Sequence, residues 1–219
     1  FVQITSIPIA IAAGLGVAII PTIVNAYVEG NKKILHEKVH QAVKFNMMIA
    51  IPSTAGLIAL ARPIFQLVLR DQDPDIAAQL MYIGGISVVL FAYSTTTNSI
   101  LQGISMLRYP IIHACIGIIV YLVIDIPLLF MGLGVNVLPI GYVVFPAVIA
   151  ILNWIRLEKE LKYHQELIKT FLMPALCSLI MGIIAYFTYE ILSGLEEGEK
   201  IVVSGHTALK NGSEVNVIN

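Results

Sequence analysis

Charge is what this sequence lacks most. Only 12% of its 219 residues are Asp, Glu, Lys or Arg, against about 25% in an ordinary soluble domain. Hydrophobic residues make up 58%, and mean hydropathy is +0.86. A water-soluble globular domain is excluded, and the chain reads as an all-α integral membrane protein. The formal net charge of −1 offers no basic surface, so no nucleic-acid partner is expected. Cysteine is also scarce. Cys115 and Cys177 both lie in apolar runs, which fits packing and argues against a disulfide or a metal pair. There is no P-loop, no G-x-S-x-G elbow and no Rossmann glycine fingerprint. Any ATP dependence would have to come from another subunit; no cofactor is expected, and the chain is not read as an enzyme. The sequence opens at Phe1 without Met and without a charged n-region. No signal peptide is read there, and a piece of a longer chain is expected.

Long apolar runs are abundant instead. Six stretches can each cross a bilayer: 4–28, 45–69, 77–102, 109–131, 137–155 and 171–192. Alternate connections hold nine basic residues on one side (Lys32, Lys33, Lys38, Lys44, Arg108, Arg156, Lys159, Lys162 and Lys169) and only Arg70 on the other. The positive-inside rule places 29–44 and 156–170 in the cytoplasm and everything after Leu192 outside. In both basic segments apolar residues recur at helical spacing: Leu35, Val39 and Ala42 in 31–44, and Leu157, Leu161 and Ile168 in 156–169. Both are expected to lie as amphipathic helices on the inner membrane surface.

The stretch 108–130 carries one carboxylate, Asp125, inside an almost unbroken apolar run. An ionised Asp at that depth costs about 2.5–3.5 kcal/mol on insertion scales. Pro127, two residues later, should free the carbonyl of Val123. An acid beside a loosened backbone turn fits a transport pathway; a hydrogen bond to a neighbouring helix, with Tyr121 one turn away, fits equally well. The third span has a polar stripe of Ser87, Ser94, Asn98, Gln102 and Ser105 on one helical face, read as interhelical bonding or as the lining of a wet cavity. The first span has a ridge of small residues, Ala10, Gly14 and Ala18, that would let another helix approach closely, with Asn25 near its cytoplasmic end. Arg62-Pro63 predicts a broken outer part of the second span, with Arg62 reaching to the surface. The fifth span contains Gly141, Pro146 and Asn153. Prolines recur in or beside the spans, which suits repeated bending of packed helices.

His36-Glu37-Lys38-Val39-His40 matches H-E-x-x-H, whose spacing puts two imidazoles on one helical face with a glutamate as base. The flanking lysines favour a solvated helix face, and no third ligand is evident. Asp71, Asp73 and Asp75 alternate around Pro74 and read as a solvated turn. Residues 193–219 change character. They are polar and glycine-punctuated, with short strand-like runs and a turn at Asn211-Gly212, too little to bury a core alone. Two segments are thus expected: a helical lobe, 1–192, and a short β-like tail, 193–219.

FVQITSIPIAIAAGLGVAIIPTIV, AVKFNMMIAIPSTAGLIALARPIFQLVL, STTTNSILQGI and the Asp125 span, in this order, resemble the multidrug/oligosaccharidyl-lipid/polysaccharide (MOP) exporter superfamily. The nearest branch is the polysaccharide-biosynthesis and stage V sporulation protein B group, relatives of the lipid II flippase. The resemblance covers residues 1 to about 192 and implies the second lobe of a two-lobed bundle, with the first lobe missing. It implies a flippase that moves a lipid-linked oligosaccharide, such as an undecaprenyl-pyrophosphate precursor, by alternating access. Asp125, Asn98, Gln102, Ser94, Asn25 and Arg62 are the candidate substrate or ion pathway. Three other readings stay open: a cation-coupled multidrug antiporter of the same superfamily, a membrane zinc protease using His36, Glu37 and His40, and a non-transporting anchor. The last draws on the tail, which resembles the C-terminal strands of efflux-pump periplasmic adaptors and would bring efflux components as partners.

Overall fold

A backbone in hydrocarbon must satisfy its own hydrogen bonds, and the chain does so with helices. The computed structural model describes residues 1–68, 74–132, 134–161 and 168–193. The helices are α1 (Val2–Val28), α2 (Lys32–Ala59), α3 (Ala61–Val68), α4 (Pro74–Gly84), α5 (Ser87–Gly103), α6 (Arg108–Phe130), α7 (Val137–Leu161) and α8 (Met173–Ser193). A 3₁₀ turn, Gly134–Asn136, leads into α7, and a π-helical turn, Ile168–Leu172, leads into α8. No strand occurs among the described residues. Among them, five helices are long and apolar enough to cross a membrane, and the bent pair α4 and α5 makes a sixth if the two cross as one span. The protein is an all-α, multi-pass integral membrane protein. The tail expected to be β-like lies outside the described residues from 194 onward.

The chain divides into two units, Phe1–Tyr186 and Phe187–Asn219. In the first, α5 is central and packs against α1, α2 and α7, while α6 packs on α7. The close approach of α1 to α5 runs through Ala12 and Gly16; a Cβ on Gly16 would stand 3.1 Å from Ser99 Oγ. The expected ridge of Ala10, Gly14 and Ala18 faces the other way and is exposed, with nothing within 4 Å of a Cβ at Gly14. In the second unit, 187–193 complete α8.

Three expectations change. The third span is not one straight helix: α4 and α5 meet at 47°. Gly84-Gly85 forms the break, where a Cβ on Gly85 would lie 2.7 Å from Ile58 Cγ1 and 2.8 Å from the Met81 carbonyl oxygen. Ser105, read as the end of the polar stripe, lies beyond α5 with φ of 63° in the turn to α6. Nor do the basic segments form separate surface helices. Residues 32–44 prolong α2 and 156–161 prolong α7, beyond the length a bilayer needs. Their apolar stripes share one buried cluster: Leu35, Val39 and Ala42 with Leu157 and Leu161. His36 Nε2 and the Leu161 carbonyl lie 2.6 Å apart and bond across this join. An amphipathic stripe is satisfied equally by lipid or by a second stripe, and here each covers the other. Ile168 remains exposed.

The broken second span appears as expected. α2 ends at Ala59, and α3 restarts at Ala61. Arg62 pairs with Asp75 Oδ1 at 3.0 Å, joining α3 to α4.

Candidate functional site

Two groups of polar side chains sit where hydrocarbon would otherwise surround them. The first centres on Asn153 of α7, which is fully buried. Its Nδ2 donates to Thr97 Oγ1 at 2.9 Å and to Asn98 Oδ1 at 2.8 Å, both on α5. Its Oδ1 lies 2.6 Å from Nδ1 of His113 on α6. An amide oxygen only accepts, so His113 Nδ1 carries the proton and donates it. One side chain therefore ties three helices together. Toward the Arg156 end of α7, the Tyr109 ring packs near His113, and the Arg156 guanidinium sits 3.8 Å above the Tyr109 centroid while pairing with Glu160. On the opposite side of α5, Asn46 of α2 donates to the Ala12 carbonyl of α1 at 3.0 Å and to Thr96 Oγ1.

The second group centres on Asp125 of α6, which is 5% exposed. It faces α7 at Gly141, where a Cβ would overlap both the Asp125 carboxylate and the Tyr121 ring. Only glycine admits the acid at this crossing. Asp125 Oδ1 is buried without a hydrogen-bond partner. The expected bond to a neighbouring helix does not satisfy this oxygen. Tyr121 and Gly141 also line a cavity of about 590 Å³ whose further walls include Phe91, Tyr142, Phe145 and Ile118. The Phe91 and Tyr142 rings lie tilted against each other, 4.9 Å between centroids. A carboxylate with an unused oxygen, beside aromatic faces, can hold a proton or a small cation.

The other sequence candidates are dispersed. Asn98 is half-buried in the Asn153 group, and Ser94 contributes its carbonyl to Asn153 at 3.5 Å while its hydroxyl donates to the Phe91 carbonyl. Gln102 and Asn25 are exposed on α5 and α1. Arg62 lies in the α3–α4 ion pair, away from both groups. In the H-E-x-x-H stretch, His36 bonds the Leu161 carbonyl, Glu37 accepts from Gln41 at 3.0 Å, and His40 is half-buried. No group of three metal-binding side chains occurs among the described residues. His113 and Thr97 were not legible as partners of Asn153. The available signal was weak: two polar residues at matching depths in adjacent apolar runs.

Several helices of spanning length, tied by buried polar side chains and carrying one carboxylate oxygen without a partner, define a polytopic membrane protein. The family model described as "Lipid II flippase MurJ" matches residues 2–198. The chain belongs to the MurJ family, within the MOP exporter superfamily that its sequence resembles. It is 24% identical over 187 residues to the lipid II flippase MurJ of Bacillus subtilis, covering 83% of this chain and 34% of that protein. It is 26% identical over 192 residues to a probable lipid II flippase MurJ of Bdellovibrio bacteriovorus, covering 83% and 36%. A third relative, the lipid II flippase MurJ of Thermosipho africanus, is 25% identical over 180 residues, covering 80% and 36%. The chain thus spans about a third of the length of the curated relatives it matches. No solved structure matches it.

Proposed function

We propose that this chain forms one membrane lobe of a flippase. Its cargo is a lipid-linked peptidoglycan or polysaccharide precursor on an undecaprenyl carrier, moved across the cytoplasmic membrane by alternating access. The observation that carries the reading is the family match over 2–198, which includes every helix of spanning length and the bent pair α4 and α5. The other lobe would come from the remaining two thirds of a MurJ-length protein. The lysine-rich segments, 29–44 and 156–170, face the cytoplasm on the positive-inside argument. Within the lobe, Asp125 is the ion or proton pathway residue, supported by its burial and its unused oxygen. Asn98, Ser94 and Gln102 lie along α5, the helix that both polar ties hold in place. An ion-coupled drug antiporter would use the same carboxylate but would not translocate lipid II.

The test is a chimaera in which residues 2–193 replace the matching third of the Bacillus subtilis relative. In proteoliposomes it should translocate lipid II. Asp125→Asn in the chimaera should slow translocation by about tenfold, equivalent to ~1.4 kcal/mol on the barrier, at an unchanged membrane level. A chimaera that inserts normally yet moves no lipid II would sink the proposal. Full activity of the Asn variant would return Asp125 to packing.

A further inference from the structure

α8 touches α2 at two places. Just before its start, the π-helical turn packs on α2, and the Phe171 ring lies tilted 5.6 Å from Tyr93 of α5. Further along, a Cβ on Gly182 would stand 3.7 Å from the Ala55 carbonyl oxygen and from Ala59 Cβ. Between these points the helices stand apart and enclose a slot of about 510 Å³. Met48 and Pro52 of α2 line one side; Met173, Cys177 and Met181 of α8 line the other. Ser178 adds no free polar group, because its hydroxyl donates to the Pro174 carbonyl at 2.6 Å. One end of the slot carries two lysines, Lys44 and Lys169. Each stands just before the apolar part of its helix, at interface depth. Helix rise puts about 16 Å between Lys44 and Ala55, which is one leaflet, half of the ~30 Å hydrocarbon core.

We propose that this slot binds one acyl chain of an anionic phospholipid, with the headgroup phosphate against Lys44 and Lys169. Apart from the two lysines and Ser178 the lining is apolar, which suits a hydrocarbon tail beneath a charged headgroup. Three methionines suit an occupant of variable shape, since their side chains rearrange at little cost. Two lysines at one end set polarity: headgroup at the lysine-rich surface, tail toward the midplane. The lipid would fill the gap that separates α8 from the bundle. That the leaflet is the cytoplasmic one rests on the sidedness proposed above; the site itself does not.

The experiment reconstitutes the whole chain in vesicles of equal parts phosphatidylcholine and phosphatidylglycerol, re-extracts it and weighs retained lipid by native mass spectrometry. One phosphatidylglycerol should stay bound in preference to phosphatidylcholine. The pair Lys44→Gln/Lys169→Gln should lower that retention by about thirtyfold, the scale expected on removing two juxtamembrane lysines. The charge-matched pair Lys32→Gln/Lys33→Gln should keep it. Cys177→Trp, which fills the slot, should lose both lipids. Equal retention by the Lys44/Lys169 pair and the native chain overturns the proposal, as does equal loss in the Lys32/Lys33 pair. Preferential retention of undecaprenyl phosphate, added at equal amount, also overturns it and assigns the slot to a polyprenyl carrier. None of these readings requires transport, so they stand apart from the flipping assay.

Discussion

Replacing Asn153 by Ala tests whether the tie between α5, α6 and α7 holds the lobe together. The side chain is fully buried and makes three short hydrogen bonds, to His113, Thr97 and Asn98. Each such bond inside a membrane protein contributes about 0.6 kcal/mol on average and ~1.7 at most. Three give about 2 kcal/mol. The partners are not equally harmed. Thr97 keeps its own donation to the Tyr93 carbonyl at 2.9 Å, and Asn98 is only half-buried. His113 loses the acceptor for a buried N–H, which adds about 1–3 kcal/mol. The expected loss is therefore about 3–5 kcal/mol, read as a shift in unfolding free energy by SDS titration of the purified chain in mixed micelles. His113→Ala in the Asn153→Ala background should cost clearly less than it does alone, because the pair acts through one bond. An Asn153→Ala loss below ~0.5 kcal/mol, or strict additivity with His113→Ala, would refute the reasoning.

Gly141→Ala should destabilise the α6–α7 crossing by about 1–3 kcal/mol. Adding Asp125→Ala should recover part of that loss, since the new methyl collides with the Asp125 carboxylate; the pair of melting curves decides. Arg62→Gln should change stability by less than ~1 kcal/mol, because both partners of the Arg62–Asp75 pair are more than half exposed. A chelator should leave the thermal midpoint of the chain unchanged, and stoichiometric zinc by elemental analysis would contradict this. The His36 ring is held instead by the Leu161 carbonyl, so His36→Ala should loosen the α2–α7 extension, seen as faster amide exchange near both.

The sequence alone settled the class of protein. A bilayer accepts only backbones that satisfy themselves, so runs of about 20 apolar residues separated by charge read directly as spans. Five appear as single helices and the sixth stretch as the bent pair α4 and α5, and Arg62-Pro63 breaks the second as its proline predicts. Asp125 was legible for the same reason, since an acid in hydrocarbon stands out by its cost. The long quoted segments also carried the superfamily. Periodicity could not say what each face meets. In a membrane, lipid and a neighbouring helix are equally apolar, so a stripe names a face without naming its partner. The stripes of 31–44 and 156–169 therefore read as lipid-facing, whereas Leu35, Val39 and Ala42 close on Leu157 and Leu161. The ridge of Ala10, Gly14 and Ala18 read as a contact face, whereas Ala12 and Gly16 make the contact. Gly84-Gly85 gave no sign of a bend, because glycine is tolerated within membrane helices and only the packing shows that Ile58 leaves no room for a side chain at Gly85. The tertiary structure alone decided the joining of Asn153 to His113 and the seating of Asp125 on Gly141. Those contacts join residues 40 and 16 apart, and such meetings depend on which helices pack together and at what height.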